Sequence, residues 1–322
     1  MKKLTLKFSG PALIVLALIA ISVSCSKSNN DVQLPPIGGY NSADEVAAAN
    51  LVAYWSFDGN LTESKASLAG TGTNTAFAAG KKGQAYQGSS SEARYAIYDA
   101  SAGVKALDSY TFSFWMNSDS MKKPLADPTQ GYGAQGIFTL ANAPGFWGGI
   151  NIFIENRGDN DGDSLKVKFF TSNTRAGVVW KDQSPLVWVP AARNQWVQVV
   201  GTYDASTSRF TAYINGAVGG KIDVPYGPVA DGTYILYAND PGGLANPNAA
   251  PLHGDIVLPA STQMAIGTHQ FTTTPPLNAA GGGTPQPWAT TYAGLLDEFR
   301  IYNKALSSSE VNSLFQLESA GR

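Results

Sequence analysis

Two kinds of residue in this chain could do chemistry: carboxylates set into strand-like stretches, and aromatic side chains set into loops. Carboxylates at alternate positions of a strand share a face and can divide the roles of acid and base between them. Asp159, Asp161 and Asp163 have that spacing, but they fall in Gly158-Asp-Asn-Asp-Gly-Asp-Ser164, where no strand fixes their separation. As a calcium loop with Gly162 at the sixth position, the segment would put Arg157 at the first ligand position and Lys168 at the twelfth, which calls for Glu. An Asp-Gly hairpin turn is the better expectation. Asp297 and Glu298 are adjacent, so a regular strand points them to opposite faces. His253 and His269 lie in irregular segments and cannot supply a metal triad, and Cys25 is the single cysteine. Neither Gly-x-Ser-x-Gly nor a phosphate-cradling loop occurs. Catalysis is not expected.

What remains is binding. Sugars present apolar C–H faces that stack on aromatic rings beside hydrogen-bonding side chains. Tyr132, Phe146, Trp147, Trp180, Trp188 and Trp288 stand outside the evident core strands, and Phe146-Trp147-Gly-Gly, Lys181-Asp-Gln183 and Gln286-Pro-Trp288 each offer that mixture. Trp180 and Trp188 flank Pro185 and could equally pack on a sheet as core.

The elements that must position these residues are strands. The chain has 322 residues, 43% apolar and 14% charged, with 34 Gly, 18 Pro and 11% aromatics, a composition suited to many short strands joined by turns in one large β domain. A formal charge of −2 leaves no basic footprint for nucleic acid. Tyr292–Leu306 organises the rest: alternation puts Leu296, Glu298, Arg300 and Tyr302 on one face and Leu295, Asp297, Phe299 and Ile301 on the other. A carboxylate buried among apolar neighbours, as Asp297 then is, needs a paired charge, several hydrogen bonds or a metal. Leu51–Phe57, Tyr110–Met116, Gly136–Leu140, Gly149–Glu155, Leu165–Phe169, Trp196–Tyr203 and Arg209–Ile214 alternate as strands, and Asn215-Gly216 signals a type I′ turn. Long loops at 118–135, 225–261 and 271–291 are where specificity would reside.

Five stretches in order resemble the laminin-G-like, concanavalin A-type jelly rolls: Leu51-Val-Ala-Tyr-Trp-Ser-Phe-Asp-Gly-Asn60, Gly80-Lys-Lys-Gly-Gln-Ala85, Tyr110-Thr-Phe-Ser-Phe-Trp-Met116, Trp196 to Asp204, and Tyr213-Ile-Asn-Gly216. They are closed by Asp297-Glu-Phe-Arg-Ile-Tyr-Asn-Lys-Ala-Leu306 and Ser-Ser-Ser-Glu-Val311. The resemblance implies an all-β sandwich of two antiparallel sheets over residues 50–318, with first and last strands side by side. It also implies a structural Ca²⁺ held by Asp297 with Asp58 close by; the alternatives are an Asp297 satisfied by backbone amides and an Asp58 that serves its own Asp-Gly turn. Glycan-cleaving enzymes of this fold carry carboxylates spaced Glu-x-Asp-x-x-Glu, and no such run is present.

Residues 1–24 read as a signal peptide, with Lys2, Lys3 and Lys7 before an apolar core from Ala12 to Val23. Ile21-Ser-Val-Ser-Cys25 looks like a lipobox, and Cys-Ser-Lys-Ser-Asn-Asn resembles lipoproteins of the Bacteroidetes. Acylation at Cys25 and a flexible tether over 25–49 are expected, with Ser42-Ala-Asp-Glu45 before Val46-Ala-Ala-Ala49 reading as a short capped helix that serves as a docking turn. Together these features predict a lipid-anchored outer-membrane protein, at the cell surface, that binds polysaccharide for uptake machinery. The alternatives are a structural or protein-binding subunit of an outer-membrane transporter complex and, third, a glycoside hydrolase.

Overall fold

Strands with an apolar residue at every second position bury one face each, and two sheets stacked face to face satisfy them all. The computed structural model, which describes residues 34–119, 133–155, 163–223, 232–240, 250–278 and 284–322, has this arrangement. One sheet of nine strands runs Ala217–Val218, Arg209–Ile214, Val197–Asp204, Tyr110–Asn117, Leu295–Tyr302, Gln84–Gln87, Ala76–Ala79; Leu51–Trp55 also pairs with Leu295–Tyr302, and Thr233–Ile235 with Arg209–Ile214. The ten-stranded sheet runs Ile222–Asp223, Leu186–Val189, Leu165–Ser172, Ile150–Ile154, Ala134–Leu140, Gln263–Ile266, Tyr95–Asp99, Thr71–Thr73. Asp182–Gln183 adds to it antiparallel, while Ala289–Thr291 adds parallel to Ala134–Leu140.

The core lies between the sheets, and Phe299 is at its centre. Its ring stacks on Phe114 at 5.4 Å and Phe138 at 5.7 Å and meets Trp55 edge-on at 5.7 Å. The first and last strands pair antiparallel, as the resemblance implies. Asn215 and Gly216 have φ of 50° and 77°, the two positive values a type I′ turn requires, and join paired strands.

Simple alternation fails where strands bulge, between Leu51 and Ala53, between Gly136 and Phe138 and, with most consequence, in the last strand. Leu296, Phe299 and Ile301 all face the core, whereas Arg300 and Tyr302 face outward. A bulge between Asp297 and Arg300, with Glu298 at φ 47°, inserts the extra residue that makes the switch. Both faces expected for this strand are therefore mixed, and Asp297 sits opposite Trp115 on the outward side.

Part of the outward side of the nine-stranded sheet is covered. Helix Ser308–Ser319, started by a reciprocal Ser307–Glu310 capping box, packs Val311, Leu314 and Leu317 there against Val46, Leu51, Val200 and Tyr302. The compact unit begins at Pro36, and Ala43 N–H donates to the Arg322 carbonyl. Residues 36–49 are thus packed onto the sandwich, where a flexible tether was expected.

Candidate functional site

In Ile150–Ile154 the three isoleucines face the core, so Asn151 and Phe153 point to the other side of the ten-stranded sheet. Phe170, on the neighbouring strand, joins Phe153 in a second apolar cluster with Ala134. Two loops from opposite ends of the sheet meet over this floor. The 142–148 loop brings Trp147 flat against Phe153, at 5.3 Å and 5°. From the other end comes Trp288, whose carbonyl accepts from Ala134 N–H; its ring lies 5.8 Å from Trp147. Phe146 stacks on Phe271 at 4.4 Å, and His269 stacks on the other side of the group at 5.1 Å from Phe271. Buried Gln270 fixes the first loop, donating to the carbonyls of Asn142, Gly145 and Phe146 at 3.2, 2.8 and 3.0 Å.

Phe146, Trp147 and Trp288, chosen from sequence, are thus brought together, each half-buried. The two indoles are inclined at 43°, so they form an angled surface and not one flat platform. Phe153, Phe170, His269 and Phe271 were not anticipated. A phenylalanine at an outward position of an alternating strand was the available signal for Phe153.

Trp180 and Trp188 are not core. Trp188 faces outward, half-buried, with Lys166 Nζ 3.1 Å and Lys221 Nζ 4.4 Å from its ring centroid. Trp180 is 44% exposed beside Val179 at 78%. The N–H groups of both donate to the Ala238 carbonyl, Ala238 N–H donates to Pro251, and Thr174 N–H donates to Val257. Exposed Leu252 and Val257 therefore belong to the same knot of loops, at the sheet end that carries 142–148. Tyr132 and Cys25 lie outside the described residues.

Asp297 and Asp58 converge on the 80–84 turn. Lys82 N–H donates to Asp297 Oδ2 at 2.9 Å and Glu298 N–H to Oδ1 at 2.8 Å; Gln84 N–H donates to Asp58 Oδ1 at 2.8 Å. Gly83, at φ 59°, approaches Asp58 where a side chain would collide with its carboxylate. Burial pushes the Asp297 carboxyl up to about 7, the neighbouring Glu298 adds to this, and the amides of Lys82, Glu298 and Lys81 oppose it. Three backbone amides already aim at the Asp297 carboxylate, so a cation here would share its oxygens with them; a carboxylate beside turn carbonyls is still the hard oxygen donor set that Ca²⁺ takes. Among the described residues no three His, Cys, Asp or Glu side chains gather at metal-binding range, so such a cation would draw most of its shell from turn carbonyls.

Two further buried carboxylates, Glu298 and Glu318, share one cation, whereas buried Glu63 accepts from the backbone N–H groups of Tyr54, Lys65 and Ala66. Arg300, fully buried, donates to Glu318 Oε1 at 2.9 Å, Glu298 Oε2 at 2.8 Å and Asp44 Oδ1 at 2.8 Å, with its guanidinium 3.8 Å from the Tyr54 ring centroid. Trp115 and Gln198 donate to Glu318 Oε2 at 2.8 and 2.9 Å. Glu318, on the inner face of the helix, and Glu298, on the strand it covers, are thus tied to one buried guanidinium, not set across a cleft. Burial and the Arg175 guanidinium hold His253 down at about 4, as a neutral ring against Asn173.

Comparison with known proteins agrees with this architecture. The family described as Concanavalin A-like lectin/glucanases superfamily matches residues 89–256, more than half of the chain. The chain belongs to this family. Among solved structures it is similar to the binding domain of Paraclostridial Mosquitocidal Protein 1, at 16% identity and TM-score 0.51, over 83% of this chain and 52% of that one. It is also similar to the binding domain of botulinum neurotoxin DC in complex with SialylT, at 12% identity and TM-score 0.50, over 85% and 52%. Domain 4 of AbnA, an extracellular arabinanase from Geobacillus stearothermophilus, in complex with arabinotriose, matches at 20% identity and TM-score 0.45, over 82% and 98%. The chain spans about half the length of the two toxin domains, and at these identities the likeness is one of fold. No curated protein matches the chain.

Proposed function

We propose that this protein is a non-catalytic glycan-binding module. The observation that carries this reading is the convergence of Phe146, Trp147 and Trp288, from two separate loops, on an outward sheet face that no helix among the described residues covers. Half-buried indoles fixed by stacking give a sugar ring a preformed apolar surface at low entropic cost. A binding role agrees with the toxin relatives being binding domains. The proposal includes a lipid anchor at Cys25 in the outer membrane, placing the module at the cell surface beside a polysaccharide transporter complex. It also includes a structural Ca²⁺ at Asp297 and Asp58, whose role would be to neutralise the buried carboxylate and fasten the 80–84 turn to the last strand.

Titration calorimetry of the full chain against plant, algal and host polysaccharides tests the reading. Binding that falls at least tenfold in Trp288→Ala with an unchanged melting temperature supports it; silence across the panel overturns it. One observation favours a second reading: exposed Val179, Trp180, Leu252 and Val257 on one loop knot suit a protein partner. A pull-down from outer membranes that is lost in Trp180→Ser but kept in Trp288→Ala would select it.

A further inference from the structure

At one end of the nine-stranded sheet, lined by none of the residues the Ser308–Ser319 helix packs on, lies an open groove of about 270 Å³. Gln87, Leu295 and Asn117 pair directly across three adjacent strands, in one row. Leu296, Tyr86 and Met116 beside them face the core, so the row points outward. Asp119 and Asn194 form the facing wall, which is tied by Asn194 N–H donating to the Ser118 carbonyl at 2.9 Å. Gly88 and Gly294 close the base, with Gly88 N–H on the Gly294 carbonyl at 2.8 Å. A side chain at Gly294 would strike the Asn117 carbonyl, so the base admits only glycine.

Each groove amide is uncommitted: the side chains of Gln87, Asn117 and Asn194 make no hydrogen bond within the described residues. A primary amide offers both a donor and an acceptor, the pair that two neighbouring sugar hydroxyls need. Antiparallel strands lie about 4.8 Å apart, so Gln87 and Asn117 flank Leu295 at roughly 10 Å from each other. A ring seated on the Leu295 side chain meets one amide on either side. The groove is below the roughly 300–1,000 Å³ of whole-ligand pockets, which suits one residue of a chain and not an entire oligosaccharide. Among the described residues its lining holds no cation to attract an anionic group.

We infer that this groove is a second saccharide subsite, one that reads the hydroxyls of a single neutral sugar residue through Gln87, Asn117 and Asn194. It rests on the glycan-binding reading but is separate from the aromatic face.

Side-chain amide signals in NMR spectra of the full chain, followed as neutral tri- to hexasaccharides of gluco, galacto, xylo and arabino type are added, test the inference. Gln87→Ala, Asn117→Leu and Asn194→Gly assign the three signals; Gly is used at 194 because the residue has φ 56°. The expected result is a shift of all three signals with one sugar series, retained in Trp147→Ala/Trp288→Ala, and at least fivefold weaker groove binding in Asn117→Leu. Shifts confined to the indole signals would overturn the groove and leave the aromatic reading standing. Groove shifts with unmoved indoles would support the groove and refute the aromatic face. No shift with any series would overturn both.

Discussion

The two outward faces of the sandwich solve the same problem in opposite ways. Each sheet presents side chains away from the core, and those around Arg300 on the nine-stranded sheet are sealed under the Ser308–Ser319 helix around its buried guanidinium. On the ten-stranded sheet an aromatic cluster stands at the centre of the outward side, and among the described residues loops, not a helix, cross it. A sealed charged network fixes geometry and can bind nothing; a stacked aromatic surface that stays half open fixes geometry and keeps a face for a ligand. The contrast predicts that mutations in the Arg300 network read out as stability, and those in the aromatic cluster as affinity.

Arg300→Met is the severest test of the sealed face. It leaves Glu298 and Glu318 buried with their shared cation gone, and removing one partner of a buried ionic group typically costs about 3–5 kcal/mol. Urea unfolding should show a loss in that range, with glycan affinity per folded molecule unchanged. An affinity loss that matches the stability loss would erase the distinction between the faces.

The Asp297 carboxylate sharpens the comparison next. Its folded value near 7 lies above the unfolded value of about 3.9, so the folded state holds the proton more tightly. Without metal, its contribution to stability is full below pH 4 and is lost as pH rises to about 7. Ca²⁺ binds the ionised form, so added Ca²⁺ should raise the melting temperature at pH 8 and have little effect at pH 5. At 100 times Kd the gain would be about 2.7 kcal/mol. Asp297→Asn should abolish both the pH slope and the Ca²⁺ response. A Ca²⁺ effect that persists in Asp297→Asn would move the cation elsewhere.

Much of this was legible in the sequence, and the exceptions are instructive. Strand alternation at Tyr110–Asn117 and Ile150–Ile154, and Asn-Gly at 215–216, announce themselves because backbone and burial demand the same residues. The bulge at Asp297–Glu298 did not, since no glycine marks its positive φ, and so both faces of the last strand were misassigned. Residues 36–49 looked like a tether by composition; the contacts that hold them, Asp44 to Arg300 and Ala43 to Arg322, are more than 250 residues away in sequence. Among the site residues, Phe146, Trp147 and Trp288 were found by residue type and loop context. Phe170 and Phe271 reach them only through the sheet register and the second loop, which spacing does not encode. Trp188 was ambiguous because its partners, Lys166 and Lys221, come from elsewhere in the chain.

On the open face, Trp147 and Trp288 should separate. Trp147 lies flat on Phe153 and touches Phe170, Phe271 and His269, so Trp147→Ala should cost about 2 kcal/mol, below the roughly 3–5 kcal/mol of a fully buried tryptophan. Trp288→Ala should cost about 1 kcal/mol or less while weakening glycan binding about tenfold, equivalent to about 1.4 kcal/mol. Equal effects of the two variants on both readouts would mean that the cluster is only a second core.

Trp180→Ser should have the smallest effect on the folded state, and is the most discriminating for that reason. Its ring is largely free, and the backbone bonds that hold its loop, Val179 and Trp180 N–H to Ala238, do not involve the side chain. Buried Gln183 also clamps the loop from below, donating to Tyr237 and Asp240 carbonyls at 3.0 and 3.2 Å. Stability should therefore change by less than about 0.5 kcal/mol, as for other surface substitutions. Any change in function then belongs to the exposed surface alone. If glycan affinity falls, the open face extends from Trp147 round the end of the sheet to Trp180, and the sugar site is long. If affinity holds and membrane-complex capture falls, the same sheet carries two contacts side by side, glycan over its centre and protein at its end.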